Sequence, residues 1–366
     1  MKDKQIISEV NVHAYQIPTD RPESDGTLEW NHTGVIVVEL KAGDLVGFGL
    51  TYAGPSTARL IQDQFAPLLL GGAPVALRQL RTKLVQSVRN SGREGVAATA
   101  VSAVDLALWD LKAKLIGVSL ANLLGPTRER VPLYGSGGFT SYSVAELQAQ
   151  LERWAQQGLR WVKMKVGRQP DRDPERVRAA RSAVTSETGL FVDANGAYDA
   201  RQALRLAERF EESGVLWFEE PVSSDDVTGL RFVREHLPRA IQVAAGEYGY
   251  NLDSFRRFLE ADAVDVLQAD ITRCGGVTGF MAIASVAEAF HKPLSSHCAP
   301  ALHVAVGCAA STFCHAEYFY DHVRIEDMLF QNAPKPIDGT LTPDWDQLGL
   351  GLLPDLQAVE EYEKSF

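Results

Sequence analysis

Three acidic residues end three successive apolar runs: Asp193 after Phe191-Val192, Glu219 after Trp217-Phe218, and Glu247 after Val243-Ala244-Ala245-Gly246. The intervals 193–219 and 219–247 each fit one strand and its returning helix, which together take about 20–30 residues. Each carboxylate therefore belongs to its own strand–helix unit, and three parallel strands can aim the three groups at one point. Such a point is too negative to stand alone, so a hard divalent cation is its natural occupant. Oxygen-only ligands favour Mg²⁺ over Zn²⁺, with Mn²⁺ the second choice. A salt-bridging strand end would explain any one of these residues; recurrence at matching positions carries the metal reading.

Other ionisable residues keep the same rhythm. Lys163 and Lys165 follow Trp161-Val162 and lie two apart, so on a strand they point to one side. Adjacent ammonium groups depress each other's pKa, and a lysine lowered toward neutrality can act as a base. Asn195, two beyond Asp193, points the same way, either as a substrate hydrogen-bond donor or as a turn residue. Asp270 closes the run from Val264 to Ala269, His297 the run from Lys292 to Ser296, and Glu317 the run from Thr312 to Ala316. A carboxylate beside a histidine on the next strand makes an oriented, basic imidazole. That pair would face Lys165 across the ring. Glu317 needs a proton to serve as an electrophile and is otherwise a polar strand end. Glu220, Cys298, His303 and His315 carry no comparable argument and read as structural residues.

These residues need a scaffold. With Val131–Gly135 ahead of them, eight short apolar runs lie between 131 and 318, and seven end in an ionisable residue. Helical segments separate them. Ser143-Val144-Ala145-Glu146 is a capping box, Asp173-Pro174 reads as a cap residue before a first-turn proline, and Asn251 opens a helix carrying Phe255 and Leu259. Alternating strand and helix predicts a parallel barrel, whose chemistry gathers at the C-terminal strand ends. Ahead of it, residues 1–17 and 32–41 read as strands and 94–115 as a helix. The polar stretch from Thr19 to Asn31 reads as a lid loop, with Asp25, Trp30, Asn31 and His32 facing substrate. The expected domains are an α+β capping domain at 1–125 with lid loop 18–32, a barrel at 126–325, and a segment 326–366 packing back on the capping domain.

Bulk properties set limits. A net charge of −11 argues against a nucleic-acid partner. No apolar run approaches the roughly 20 residues that cross a bilayer, and the first residues lack a secretion core, so a cytoplasmic location is expected. The four cysteines, Cys274, Cys298, Cys308 and Cys314, form no C-x-x-C pair and read as reduced thiols. The glycines at 135–138 and 275–276 fit no phosphate-binding fingerprint and read as rim turns.

The set resembles the enolase superfamily, and within it the mandelate racemase subgroup. The match comprises Lys-x-Lys (Lys163, Lys165), Asp-x-Asn (Asp193, Asn195), Glu-Glu-Pro (Glu219 to Pro221), Gly-Glu (Gly246, Glu247), Asp270, His297 and Glu317, plus the helix Ala103–Asp110. The resemblance implies an α/β fold: a modified TIM barrel, (β/α)7β, with an N-terminal α+β capping domain. It also implies homo-oligomers built from dimers, octamers included. By it, Asp193, Glu219 and Glu247 bind the Mg²⁺ that holds a substrate carboxylate. Lys165 is one base and His297, paired with Asp270, the other. Lys163 and Glu317 stabilise the carboxylate as it becomes an enediolate.

The shared step is abstraction of the α-proton of a carboxylate, which needs a cation and flanking donors because two negative charges build on its oxygens. A polar lid suits polyhydroxy acids, so dehydration of an acid sugar to a 2-keto-3-deoxy acid is the expected reaction. Racemisation or epimerisation of a 2-hydroxy acid stands second and lactone cycloisomerisation third. A non-catalytic binding protein on the same fold would show degraded ligands or bases, and none are degraded. A phosphate-binding aldolase would need a glycine-rich anion site after strands 7 and 8, which Ser295 to Pro300 does not provide.

Overall fold

The computed structural model describes residues 6–366. Strands β1 (Glu9–Ser24), β2 (Glu29–Ala42) and β3 (Leu45–Tyr52) form an antiparallel sheet in that order. β2 is covered on both faces, which explains why both are apolar. Ile36, Val38 and Leu40 bury against the helix Val96–Ile116, while Val35 and Val37 join the core that continues into the barrel. Gly49 lets that helix come close, because a Cβ there would stand 2.1 Å from the carbonyl oxygen of Ala103.

The expected lid loop is instead the outer half of a hairpin. β1 runs to Ser24 and β2 restarts at Glu29, with the register slipping between Pro18 and Glu23. Only the tip turns sharply, and Asp25 Oδ1 holds it by accepting from the amides of Thr27 and Leu28 at 2.6 and 2.7 Å. The polar composition of this stretch hid the pairing. The first five residues of the expected first strand lie outside the described residues.

Eight parallel strands follow: β4 (Val131–Gly137), β5 (Trp161–Lys165), β6 (Gly189–Asp193), β7 (Val215–Glu219), β8 (Gln242–Ala245), β9 (Val266–Ala269), β10 (Leu294–Ser296) and β11 (Phe313–Phe319). Each pairs with the next and β11 pairs with β4, so the ring closes. Helices return the chain between strands, and Tyr320–Leu329 after β11 leads into the tail. Ser143 and Glu146 form the capping box, and the Asn251 side chain caps its helix. Asp173 is not a cap: Arg172 holds that position, and Asp173 accepts from Tyr198 Oη at 2.6 Å and the Gly167 amide at 2.9 Å. The lower barrel is filled by Tyr134, Phe191, Trp217, Ala244 and Val266.

The tail touches both domains. β12 (Thr340–Leu341) pairs antiparallel with β4, and the Lys364 amide donates to the Ala14 carbonyl at 2.8 Å. No helix among the described residues is long and apolar enough to cross a membrane. The four cysteines are free.

A polar seam fixes the capping domain on the barrel. Buried Asp105, on the helix Val96–Ile116, accepts from the Thr278 amide at 2.9 Å and hydroxyl at 2.7 Å. Trp109 Nε1 donates to the same hydroxyl at 2.9 Å, and Ser102 Oγ accepts from the Gly275 amide at 2.8 Å. Truncating Asp105 strands two donors, so Asp105→Ala should lower unfolding free energy by about 2–3 kcal/mol in urea titration. A midpoint equal to wild type would contradict this role for the seam.

Candidate active site

Strand register assembles the charged layer. Lys165 lies opposite Asp193, and Asp193 opposite Glu219, at the C-terminal ends of β5, β6 and β7. Side chains two apart share a face, so Trp161, Lys163 and Lys165 line the interior in order from the aromatic layer upward. Glu247 comes from beyond β8 and needs a backbone reversal. Gly246 supplies it at φ +133°, where a Cβ would lie 2.2 Å from the Gln268 carbonyl oxygen. Non-glycine residues with positive φ also gather here: Asn195, Glu220, Cys298 and Ala299. Left-handed backbone at such residues costs of order 1–3 kcal/mol each and clusters at functional sites.

Asp193, Glu219 and Glu247 are buried, and each can bring one oxygen within 4.8 Å of the others. Lys163 Nζ donates to both oxygens of Glu219 at 2.7 Å and lies 2.8 Å from Glu317 Oε1 and 3.5 Å from Asp193 Oδ2. Lys165 Nζ donates to Asp193 Oδ2 at 2.5 Å and to Asn195 Oδ1 at 3.1 Å. These lysines leave the cluster short of positive charge. Burial and the neighbouring Asp193 push Glu219 well above the usual carboxylate range, and Glu247 Oε2 is buried without a hydrogen-bond partner. The residues therefore fit a divalent cation, with oxygen donors suited to Mg²⁺.

The expected depression of the lysines is overturned in this arrangement. Burial does pull Lys163 and Lys165 down. Glu219 and Glu317 outweigh it at Lys163, Asp193 does so at Lys165, and both lysines are held above the ordinary value. The expectation counted two ammonium groups and left out the carboxylates facing them. Nor does Glu317 hold a proton. Burial raises it, but Lys163, His297 and Lys165 overrule burial and keep it anionic. Its Oε2 accepts from the Cys298 amide at 2.6 Å. His297, Cys298 and Glu317 form a second compact group, but there Glu317 is already saturated by Lys163 and that amide.

On the far side, His297 Nδ1 lies 2.9 Å from Asp270 Oδ2. A carboxylate can only accept, so Nδ1 carries the proton and Nε2 is left for the chamber. Nε2 lies 3.4 Å from Glu247 Oε2 and 3.2 Å from Cys298 Sγ. Burial works against ionising Asp270, yet the His297 hydrogen bond and Arg273 hold it well below the usual range. Lys165 and His297 stand three strands apart along β5, β4, β11 and β10.

A chamber of about 470 Å³ lies above this layer, within the range of small-molecule sites. Lys165, Asn195, Glu247 and His297 line it from the barrel, and Trp30 and His32 from the hairpin. Lys163, Asp193, Glu219, Asp270 and Glu317 lie beneath, buried in the charged layer. Trp30 Nε1 donates to buried Glu23 at 3.0 Å. Asn31 faces His32, not the chamber. The sequence reading missed Arg273, Tyr52, Cys298 and His322 on these walls. Arg273 had a legible signal, three residues beyond Asp270, and its Nε lies 3.5 Å from Asp270 Oδ2. Cys298 had only its place beside His297. Glu220, read as structural, is buried with Oε1 unpartnered beside the metal candidates. His303 and His315 are structural, bonded to the Ile271 amide and to Ser295.

A closed parallel barrel, an antiparallel capping sheet and a three-carboxylate centre flanked by Lys-x-Lys and His–Asp define an enolase-type enzyme. The comparisons agree. Residues 146–358 match the family described as enolase C-terminal domain-like, and 9–125 match the mandelate racemase/muconate lactonizing enzyme N-terminal domain. The chain belongs to the mandelate racemase/muconate lactonizing enzyme family of the enolase superfamily. L-talarate/galactarate dehydratase of Salmonella typhimurium is 31% identical over 88% of this chain and 81% of its own. A solved mandelate racemase/muconate lactonizing enzyme-like protein from Rubrobacter xylanophilus superposes with a TM-score of 0.95 at 46% identity, covering 98% of this chain and 100% of its own. A racemase from Streptomyces coelicolor A3(2), solved with bound magnesium, gives a TM-score of 0.92 at 28% identity with the same coverage. Curated relatives are named as acid-sugar dehydratases and cycloisomerases.

If Asp193, Glu219 and Glu247 hold the cation, Glu247→Gln should weaken Mg²⁺ binding at least about tenfold in isothermal titration calorimetry. Glu220→Gln should change it much less. Equal losses in the two variants would put Glu220 among the ligands.

Proposed function

We propose that this enzyme removes the α-proton of a sugar acid through an enediolate and expels the β-hydroxyl, giving a 2-keto-3-deoxy acid. One observation carries the reading: two candidate bases, Lys165 and the Asp270-oriented His297, line one chamber above three buried carboxylates. Magnesium, which the Streptomyces coelicolor racemase carries, would be held here by Asp193, Glu219 and Glu247 and would supply the positive charge that a substrate carboxylate needs on becoming an enediolate.

The remaining steps belong to the chain. His297, or Lys165 once it has left Asp193 and given up its own proton, takes the α-proton, and the C–H electron pair moves into the carboxylate. Lys163, buried among the carboxylates, adds fixed positive charge without reorganising. Asn195 orients the substrate through its amide. His297 Nε2, once it has taken up the α-proton or one from solvent, delivers it to the β-hydroxyl, the C–O bond breaks, water leaves, and the enol gives up its hydroxyl proton and gains one at the β-carbon to become the keto acid. Trp30 and the hairpin exclude bulk water. Glu317, saturated and anionic, holds Lys163 in place. The same two bases suit proton exchange across the α-carbon, so racemisation or epimerisation is the second reading. It would conserve the hydroxyl.

Lys165→Ala and His297→Asn should each lower turnover by about 10²–10⁴. His297→Asn should still exchange the α-proton with D₂O for substrates whose proton faces Lys165, while failing to release 2-keto acid. Asp270→Asn should behave like His297→Asn. Full 2-keto acid formation by His297→Asn would remove the imidazole from the mechanism; an inverted product with its hydroxyl intact would favour the second reading.

A further inference from the structure

The chamber wall divides by charge. Among the described residues lining it, the lysine and the arginine, Lys165 and Arg273, both come from the barrel. Both are already committed. Lys165 sits on Asp193, and Arg273 lies 3.5 Å from Asp270 and 3.8 Å from Glu247. The capping-domain wall offers no lysine or arginine. Its fixed charge is Asp25, buried in the hairpin tip, with oxygen Oδ1 already used by the turn amides. Tyr15, Tyr52 and exposed His32 are the other ionisable side chains there, and His32 Nδ1 faces Asn31 Oδ1 at 2.8 Å.

What that wall does offer is neutral. Gln16 and Thr33 supply polar atoms, and Leu28, Trp30 and Pro55 supply apolar surface. Tyr52 lines the chamber with its ring stacked on His322 at 3.4 Å between centroids and 16° between planes. Its hydroxyl is buried without a hydrogen-bond partner. Burial holds His322 neutral, down at about 3, so this pair adds a hydroxyl donor and no charge. A buried hydroxyl without a partner is costly unless a ligand satisfies it.

Resting on the reading of the site as an enediolate-forming centre, we infer that the chamber selects sugar acids with a single carboxylate. The reacting carboxylate goes to the barrel end, and the far end is an uncharged, hydroxylated tail that meets Tyr52, Gln16 and Thr33. A second carboxylate at the far end would be desolvated against Asp25 with no opposite charge to pair with.

The test uses the Mg²⁺-loaded enzyme and matched pairs of four- to six-carbon aldonates and aldarates of the same configuration. Both α-deuterium incorporation from D₂O and 2-keto acid release are measured. In every pair that reacts, the aldonate should exceed the aldarate in kcat/KM by about tenfold or more. Gln16→Arg should raise the aldarate-to-aldonate ratio of kcat/KM about fivefold. An aldarate matching or exceeding its aldonate, or a ratio unmoved by Gln16→Arg, would overturn the selectivity and leave the enediolate reading standing. Deuterium incorporation into no member of either series would overturn both.

Discussion

The ammonium of Lys163 is the interaction on which the site depends. It is fully buried, between the carboxylates of Glu219, Glu317 and Asp193 above and the ring of Tyr134, whose centroid lies 5.3 Å from it. Removing charges from water costs several kcal/mol per ion, recovered only where opposite charges and hydrogen bonds meet them. The barrel meets that condition by register. Adjacent strands place Lys165, Asp193 and Glu219 side by side, and the closing pair β11–β4 brings Glu317 round to complete the ring. Below lies a buried aromatic layer; above lies a chamber of about 470 Å³.

Because this layer carries more carboxylates than cations, it is poised to take one more positive charge. That excess separates an enzyme from a binding protein that has kept the fold. A purely structural ion-pair network would give Glu247 Oε2 the hydrogen bond that it lacks. It would also have no use for an imidazole oriented by Asp270 on the wall of a chamber. The capping domain serves the same end. Its helix Val96–Ile116 is locked to the barrel through Asp105 and Thr278, which fixes where the hairpin and Tyr52 stand relative to the charged layer.

Much of this was legible in the residues. A period of one strand and one helix between carboxylates gave the barrel, because each ionisable group marks the C-terminal end of a strand. The alternation within Lys163-Met164-Lys165 gave the side from which both lysines project. The hairpin was misread as a loop because its residues are polar and its register slips between Pro18 and Glu23, so no alternating pattern survives. The charge states were misread for a different reason. A protonation state is set by every neighbour in three dimensions, and the carboxylates that hold both lysines charged come from other strands. Arg273 escaped notice because it lies in the turn after β9, and Tyr52 and His322 because they come from the end of β3 and the helix Tyr320–Leu329, whose placement over the strand ends no spacing reveals.

The central claim is that Asp193, Glu219 and Glu247 form one cation site, with the lysines as stand-in counter-charges when no metal is bound. The most direct measurement is anomalous diffraction from crystals of the protein grown with Mn²⁺. One strong peak is expected, with an oxygen from each of Asp193, Glu219 and Glu247 within about 2.0–2.3 Å and Lys165 Nζ withdrawn from Asp193 Oδ2. A peak elsewhere, or no peak with both lysines still on their carboxylates, would contradict it.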